Sequence, residues 1–258
     1  MCHRKVISDP YEKINYSSNK LVFGRKLKNP IATIGLGVPT TSRGFDSIDE
    51  LALFDIFLPS FVRSIASCPS IQFSLYIAFD NNDPLLNFEN IKNKLKPFDN
   101  DNVEYYLIQI PPFKIISLIW SFLYYLSIKD ACNYFYQLND DIEFLSTNWA
   151  SDFIHQMRQM NDYGVVGPAD ILWNCKILTQ VFVSPKHFDV FGFLYPFELH
   201  DWHSDSWITY VYSDRMKCLK NHPINNTNKK NTRYNPCEYS DWWKLVLKHR
   251  ETIKKIPM

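Results

Sequence analysis

The run Asn139-Asp140-Asp141 contains residue types that can hold a divalent cation, and it directly follows the apolar segment 134–138. Carboxylates at a strand end lie close together and repel each other. Mg²⁺ or Mn²⁺ is commonly held by one or two such carboxylates together with substrate phosphate oxygens. Asn and Asp also favour plain turns. The run therefore predicts either a metal site that faces a phosphorylated substrate or an ordinary turn.

Two other polar segments follow apolar runs in the same way. The loop Thr40-Thr41-Ser42-Arg43-Gly44 comes after the apolar run 30–38, and Asp80 ends the run 73–79. A guanidinium such as that of Arg43 binds phosphate through two parallel N–H groups. The alternatives are a helix cap at Thr41 or Ser42 and a turn at Asp80.

Strands and helices alternate over the first 140 residues. This order predicts βαβ units and an open, mostly parallel sheet flanked by helices, with ligands at the carboxyl ends of the strands. The predicted strands are 30–38, 73–79, 103–110 and 134–138, and the predicted helices are 47–66 (kinked or broken near Pro59), 88–95 and 113–129.

The second half of the chain has a less regular pattern. Residues 1–29 are polar and predict an arm or a peripheral strand. From residue 30 onward we expect a single domain, because no linker divides it. The later predictions are a helix at 149–160, short strands near 165–166 and 179–183, an aromatic loop at 191–200, a helix within 201–212, a mobile polar loop at 221–235 and a helix at 239–253.

Composition excludes several classes of protein. The 258 residues carry 28 basic and 27 acidic side chains, so the net charge of +1 provides no basic field for a nucleic-acid partner. Hydrophobic residues make up 46% and charged residues 21%, which excludes wholesale disorder. The first residues have no apolar signal-peptide core, and the longest uncharged stretch, 115–128, is too short to span a membrane. We therefore expect a soluble cytoplasmic protein without a transmembrane segment.

The six cysteines form no CxxC or CxxH pair, which argues against a structural zinc site. They are too few for a disulfide scaffold of this size. We expect scattered, inert thiols, Cys132 and Cys175 among them, in a reducing compartment.

The polar loop after the first strand, Asp80 and the acidic cluster after the fourth strand together resemble nucleotide-sugar glycosyltransferases of the GT-A fold. The segment 163–212 strengthens the resemblance through GVVGP, LTQVFV, HFDVFG and DSWI, which are similar to segments of a branch found in algae, protists and large DNA viruses. It covers about residues 31–234. The resemblance implies a Rossmann-related α/β fold with a nucleotide-sugar-binding half at 30–145 and an acceptor-side half at 146–258.

The resemblance also implies roles on the donor side. The run at 139–141 corresponds to the DxD-type motif of the family, with Asp141 as a ligand of manganese (Mn²⁺) or Mg²⁺ and with Asn139 and Asp140 near the ribose or the water shell of the metal. Asn139 departs from the strict DxD pattern, which leaves open which carboxylate holds the metal. The remaining residues expected to bind the donor are Pro39, Thr40, Thr41, Arg43 and Asp80.

On the acceptor side, Asp205 matches the acidic position that acts as the base in many inverting members. Trp202 and Trp207 would offer flat faces on which a sugar can stack. The alternatives are that Asp205 caps a helix and that both tryptophans belong to the core. Relatives often have a second acid after this Asp, where this chain has Ser206.

His222 would be a third metal ligand, with His200 and His203 as rivals. The loop 221–235 would be a lid, from which Arg233 could reach phosphate. Trp242 and Trp243 are expected to clamp the last helix, with a peripheral membrane or partner contact as the alternative.

The function predicted from the sequence is a metal-dependent hexosyl- or pentosyltransferase. It would move a sugar, with inversion, from a nucleotide diphosphate donor (UDP-sugar favoured) to a hydroxyl of a glycan or glycoprotein. One alternative is an inactive sugar-nucleotide-binding or assembly protein, which the departures at Asn139 and Ser206 suggest. Another is a nucleotidyltransferase or phosphohydrolase, for which the chain lacks a Gly-rich phosphate loop.

Overall fold

The computed structural model describes residues 19–227 and 238–257. Within these ranges nine strands form one mixed sheet, in the order β1-β4-β3-β2-β5-β8-β7-β9-β6. The strands are β1 Lys20–Gly24, β2 Ala32–Pro39, β3 Ile71–Asp80, β4 Val103–Ile110, β5 Tyr134–Gln137, β6 Ile142–Phe144, β7 Val165–Asp170, β8 Val181–Val183 and β9 Met216–Asn226.

The centre of the sheet is parallel. Strands β4, β3, β2 and β5 run in one direction, and β1 adds an antiparallel edge beside β4. Every residue of β3 is buried, which is expected for a strand covered by helices on both faces. The carboxyl ends of β2, β3 and β5 therefore lie along one edge of the sheet, which we call the carboxyl edge.

Helices cover both faces of the sheet. Two hydrophobic clusters result: one contains residues of α1, α2 and α4, and the other contains residues of α3, α6 and α7. Gly35 lets α3 approach β2, because a Cβ at this position would lie 2.7 Å from the Ser127 Cβ. The helices are α1 Leu58–Ile65, α2 Phe88–Leu95, α3 Ile116–Lys129, α4 Trp149–Gln159, α5 Pro185–Phe191, α6 Ser204–Tyr212 and α7 Trp242–Lys254.

The second half of the chain extends the same sheet. Strand β8 is antiparallel to β5 and to β7, and β9 is parallel to β7. Strands β7 and β9 consequently point the same way as β5, and both end at the carboxyl edge. Strand β6 begins at that edge, because it pairs antiparallel with β9.

The structure differs from the predicted elements in three places. The loop expected at 221–235 is β-strand as far as Asn226, and its residues 228–235, including Arg233, lie outside the described residues. A π-helical turn, Leu53–Phe57, precedes α1, so the helix changes geometry before Pro59, which lies in the first turn where its missing N–H is tolerated. Helix α5 was not predicted, although Ser184 caps it by accepting from the Lys186 N–H.

The prediction that the thiols are all free is wrong. Cys175 and Cys218 form a disulfide with Cα atoms 5.6 Å apart, and Cys68 and Cys132 are free and buried. The disulfide connects the loop after β7 to β9. No helix within the described residues is long and apolar enough to cross a lipid bilayer.

Candidate active site

The loop after β2 is held in place by Asp83, which lies just beyond the end of β3. The Asp83 carboxylate accepts hydrogen bonds from the Thr41 hydroxyl at 3.2 Å, from the Ser42 N–H at 2.8 Å and from the Ser42 hydroxyl. It also accepts from the N–H groups of Leu85 and Leu86 at 3.1 and 3.0 Å. The polar loop is therefore fixed by one carboxylate from the neighbouring strand.

Arg43 and Asp80 form an ion pair in the same region. The Arg43 Nη2 is 3.5 Å from the Asp80 Oδ2; the Asp80 side chain is 1% exposed and that of Arg43 is 44% exposed. Since Asp80 ends β3 at the carboxyl edge, it places the guanidinium beside that edge. Arg43 is thus anchored at a buried carboxylate while part of it remains open to solvent.

The acidic run after β5 contacts the loop after β2 directly. The Thr40 hydroxyl donates to the Asp140 Oδ2 at 2.6 Å. The Asn139 N–H donates to the Gln180 Oε1 at 3.0 Å, and the Asp141 backbone oxygen accepts from the Thr227 hydroxyl at 2.8 Å. The residues predicted to bind a sugar-nucleotide donor come from two separate segments, and the structure places them together at the carboxyl edge.

Asp205 lies in the first turn of α6 and is half-buried. Burial raises its pKa, and the Ser206 N–H, which donates to its Oδ1 at 2.7 Å, partly opposes the rise. Burial likewise raises the pKa of Asp201, and the charge of Asp205 raises it further. Two carboxylates therefore lie close together, and both resist ionisation.

Three buried polar side chains connect the surroundings of Asp205 to the acidic run. They are Tyr195, Gln137 and Gln180. Burial raises the pKa of the Tyr195 phenol, and the nearby negative charge of Asp205 adds to the rise. The Tyr195 hydroxyl donates to the Gln137 Oε1 at 3.0 Å, and the Gln137 Nε2 donates to the Gln180 Oε1 at 3.3 Å. Gln180 accepts from the Asn139 N–H, so hydrogen bonds connect Tyr195, which lies near Asp205, to the acidic run.

The start of α3 holds the loop that leads to Asp205. Helix α3 follows the carboxyl end of β4, and the Ser117 N–H in its first turn donates to the His200 carbonyl oxygen at 3.3 Å. The Ser117 hydroxyl donates to the Leu199 carbonyl oxygen. The loop that leads to Asp201 and Asp205 is therefore attached to the carboxyl edge through α3.

The two tryptophans predicted to stack on a sugar have different environments. Trp202 is 52% exposed, whereas Trp207 is 0% exposed. The Trp207 ring packs in the core, and its Nε1 donates to the His249 Nδ1 at 3.2 Å. The prediction that Trp207 contacts a sugar acceptor is corrected. Trp207 lies three residues after the buried Ser204 in α6, so both residues face the core.

The structure does not bring His222 to Asp141. The His222 Nδ1 is 3.0 Å from the Ser146 hydroxyl, and its Nε2 is 2.7 Å from the Asp152 Oδ2. Asn226 pairs with Ile142, the residue after Asp141. His222 precedes Asn226 by four residues of β9, which separates their Cα atoms by about 13 Å along an extended strand. The prediction that His222 is a third metal ligand beside Asp141 is corrected, because β9 continues as a strand where a loop was expected.

The rival His203 also has other contacts. The His203 ring stacks on Trp242 with centres 4.6 Å apart, and its Nε2 is 3.2 Å from the Glu238 Oε1. Among the residues that the structure describes, no group of three His, Cys, Asp or Glu side chains is arranged to hold a metal ion. Asp140 and Asp141 still fit the mode in which Mg²⁺ or Mn²⁺ is held by one or two carboxylates and by substrate phosphates.

Sequence reasoning missed Asp83, Gln180, Tyr195 and Asp201. Asp83 carried a usable signal, because the run Asp80-Asn81-Asn82-Asp83-Pro84 follows a predicted strand. Gln180 and Tyr195 carried none, since each acts through partners more than 40 residues away in the chain.

The fold resembles solved structures of TarS from S. aureus. TarS 1–349 superposes with a TM-score of 0.51 and 13% sequence identity, over 86% of this chain and 65% of that chain. The complex of TarS 1–349 with UDP-GlcNAc superposes with a TM-score of 0.54 and 12% identity, over 85% of this chain and 66% of that chain. This chain therefore spans slightly less than two thirds of the length of those TarS chains.

At this level of identity the likeness establishes the fold alone, so the chain shares the mixed α/β architecture of TarS. No model of a protein family matches the sequence, and no curated protein matches it. The resemblance to the algal, protist and viral branch stays a prediction.

Proposed function

We propose that this chain is a divalent-cation-dependent glycosyltransferase that moves a sugar from a nucleotide diphosphate to an acceptor hydroxyl, with inversion. The observation that carries the proposal is the meeting of the anchored Arg43 and the acidic run tied to Thr40 at the carboxyl edge. The half-buried Asp205 lies near Tyr195, which hydrogen bonds through Gln137 and Gln180 connect to that run. The fold shared with the UDP-GlcNAc complex of TarS makes UDP-GlcNAc the first donor to test.

On the donor side, Arg43 and the loop 39–42 would hold the diphosphate, and Asn139 and Asp140 would face the ribose. Asp141, with Asp140, would hold Mn²⁺ or Mg²⁺, which supplies positive charge beside the departing diphosphate. Thr40 fixes the Asp140 carboxylate before any ligand arrives.

On the acceptor side, the Asp205 carboxylate would accept the proton of the acceptor hydroxyl. The acceptor oxygen then forms a bond to the anomeric carbon while the bond from that carbon to the diphosphate oxygen breaks. The diphosphate leaves with the electron pair of that bond. A raised pKa makes the Asp205 carboxylate a stronger base once it is ionised.

A thermal-shift screen tests the proposal. UDP-, GDP- and TDP-sugars are each added with Mn²⁺ and with EDTA. A donor at a hundredfold excess over its Kd stabilises the folded chain by about 2.7 kcal/mol. We expect one donor to raise Tm only with the metal, and the shift to disappear in D141A. The absence of any shift would contradict the proposal.

The second candidate is a sugar-nucleotide-binding protein that lacks catalysis. It is favoured by Asn139 in place of an acid and by the absence of a three-ligand metal cluster among the described residues. Donor binding without hydrolysis or transfer to any glycan or glycoprotein acceptor would identify it.

A further inference from the structure

Exposed aromatic and apolar side chains gather where α6 meets α7. Tyr210 is 39% exposed, Trp243 is 43% exposed and Leu247 is 51% exposed. The rings of Tyr210 and Trp243 have centres 5.6 Å apart, and Trp242 lies 6.2 and 5.4 Å from them. We call these four residues the α6–α7 patch. Contiguous exposed apolar surface of this kind commonly marks an interaction site.

The patch lies on the outer face of α7. Leu245, Val246 and Ile253 are buried on an adjoining face of this helix. Trp243 and Leu247 are four residues apart and therefore lie on one stripe, which remains exposed. The helix thus has two apolar faces, of which only one packs on the protein.

Positive charge accompanies this outer face. Lys244 is 77% exposed, and Lys248 and Lys255 are also exposed. Residues 241–255 contain five basic and two acidic side chains, although the whole chain has a net charge of only +1. The two acids, Asp241 and Glu251, pair with Lys244 and Lys254 at 2.9 and 2.7 Å. Arg250 pairs with a third acid, Asp214, at 3.9 Å. The five basic residues still outnumber these three acids, so the face stays positive.

We propose that α7 docks on an anionic membrane surface, lying in the plane of the interface. Tyr210, Trp243 and Leu247 enter the boundary between headgroups and acyl chains, and the lysines contact lipid phosphates. Interfacial helices combine an apolar face rich in Trp and Leu with flanking lysines, and Trp and Tyr are typical of headgroup depth. The positive charge selects this partner over a neutral surface. The inference does not depend on the proposed glycosyl transfer.

Vesicle co-sedimentation of the full chain tests the inference. One set of vesicles is phosphatidylcholine alone, and the other mixes phosphatidylcholine with phosphatidylglycerol. We expect binding to the mixed vesicles only, weakened by salt, and lost by at least about tenfold in W243S/L247S. The matched control is I31S, which removes another exposed apolar side chain, 67% exposed, at the start of β2 and should bind as the wild type does.

K244Q/K248Q provides a second variant that leaves the apolar patch intact. We expect its affinity for the mixed vesicles to fall about fivefold per lysine. The inference is overturned if the wild type ignores both vesicle types, or if W243S/L247S and K244Q/K248Q bind as it does. It is also overturned if the patch instead forms a dimer or binds a soluble oligosaccharide in the absence of vesicle binding.

Discussion

Asp83, in the loop after β3, is surrounded by hydrogen-bond donors, whereas Asp201 and Asp205, beside the start of α6, are buried close to each other. The Asp83 carboxylate accepts from three N–H groups and two hydroxyls. Burial raises the pKa values of Asp201 and Asp205, and only Asp205 has a backbone donor to offset it. One carboxylate thus orders a loop through its hydrogen bonds, whereas burial disfavours the ionised form of the other two.

The difference distinguishes a carboxylate that orders a loop from carboxylates that resist ionisation. A carboxylate that satisfies five donors orders the loop that presents Thr40 and Arg43. A carboxylate that resists ionisation gains a proton readily, which is the property a catalytic base requires. The comparison therefore predicts that substitutions on the two sides have opposite effects on stability.

The largest expected effect is on the transfer rate of D205N. Removing the base should reduce single-turnover transfer by about 10²- to 10⁴-fold, because the acceptor hydroxyl then keeps its proton. Rapid-quench measurement of product with saturating donor checks this. D214N, which changes an acid that is 78% exposed, is the matched control and should transfer normally. An unchanged rate in D205N would remove Asp205 from the role of base.

The next effect is on the stability of D83A. Loss of this carboxylate leaves the N–H groups of Ser42, Leu85 and Leu86 without their acceptor, at a cost of about 2–4 kcal/mol in unfolding free energy. Denaturant unfolding measures it. D99A removes an exposed acid that pairs with Arg25 and should change stability little. Equal midpoints for D83A and the wild type would show that this carboxylate does not order the loop.

A smaller effect of opposite sign is expected for the stability of D205N. Because the folded-state pKa of Asp205 is raised, the protein is stabilised by the protonated form, and this stability is lost as pH rises from the unfolded value of 3.8 through the folded value. D205N should melt as the wild type does at acid pH and above it at neutral pH. Melting between about pH 3 and pH 8 measures the difference. A lower Tm for D205N at neutral pH would contradict the assignment.

The smallest expected effect is on the acceptor KM of W202A. Stacking on an aromatic face contributes about 0.5–1.5 kcal/mol, so the acceptor KM should rise about two- to tenfold with kcat nearly unchanged. W243A, which changes another exposed Trp, should leave the acceptor KM as it is. Equal values for W202A and the wild type would place the acceptor elsewhere.

The first half of the fold was predictable because its strands are buried on both faces. Strands β3 and β4 are apolar runs and α2 has a helical pattern, so the local sequence predicts each of these elements. Strand β9 does not: its residues 223–226 are held by pairing with β6 and β7, and no local pattern encodes that pairing. The Cys175–Cys218 disulfide spans 43 residues and is likewise a product of the fold.

The candidate site was predictable where polar residues directly follow strands. Thr40, Asp80 and Asp140 all meet at the carboxyl edge for this reason. The position of Trp207 was not, because a tryptophan beside Asp205 fits a sugar platform and a core equally well in sequence. His222 was misplaced together with the strand that carries it.

Calorimetric titration of UDP-GlcNAc with Mn²⁺ into the wild type, D141N and D205N tests the division between the two sides most directly. The account predicts that D205N binds the donor with the wild-type Kd and that D141N loses the Mn²⁺-dependent part of the affinity. Equal loss of affinity in both variants, or no loss in either, would contradict it.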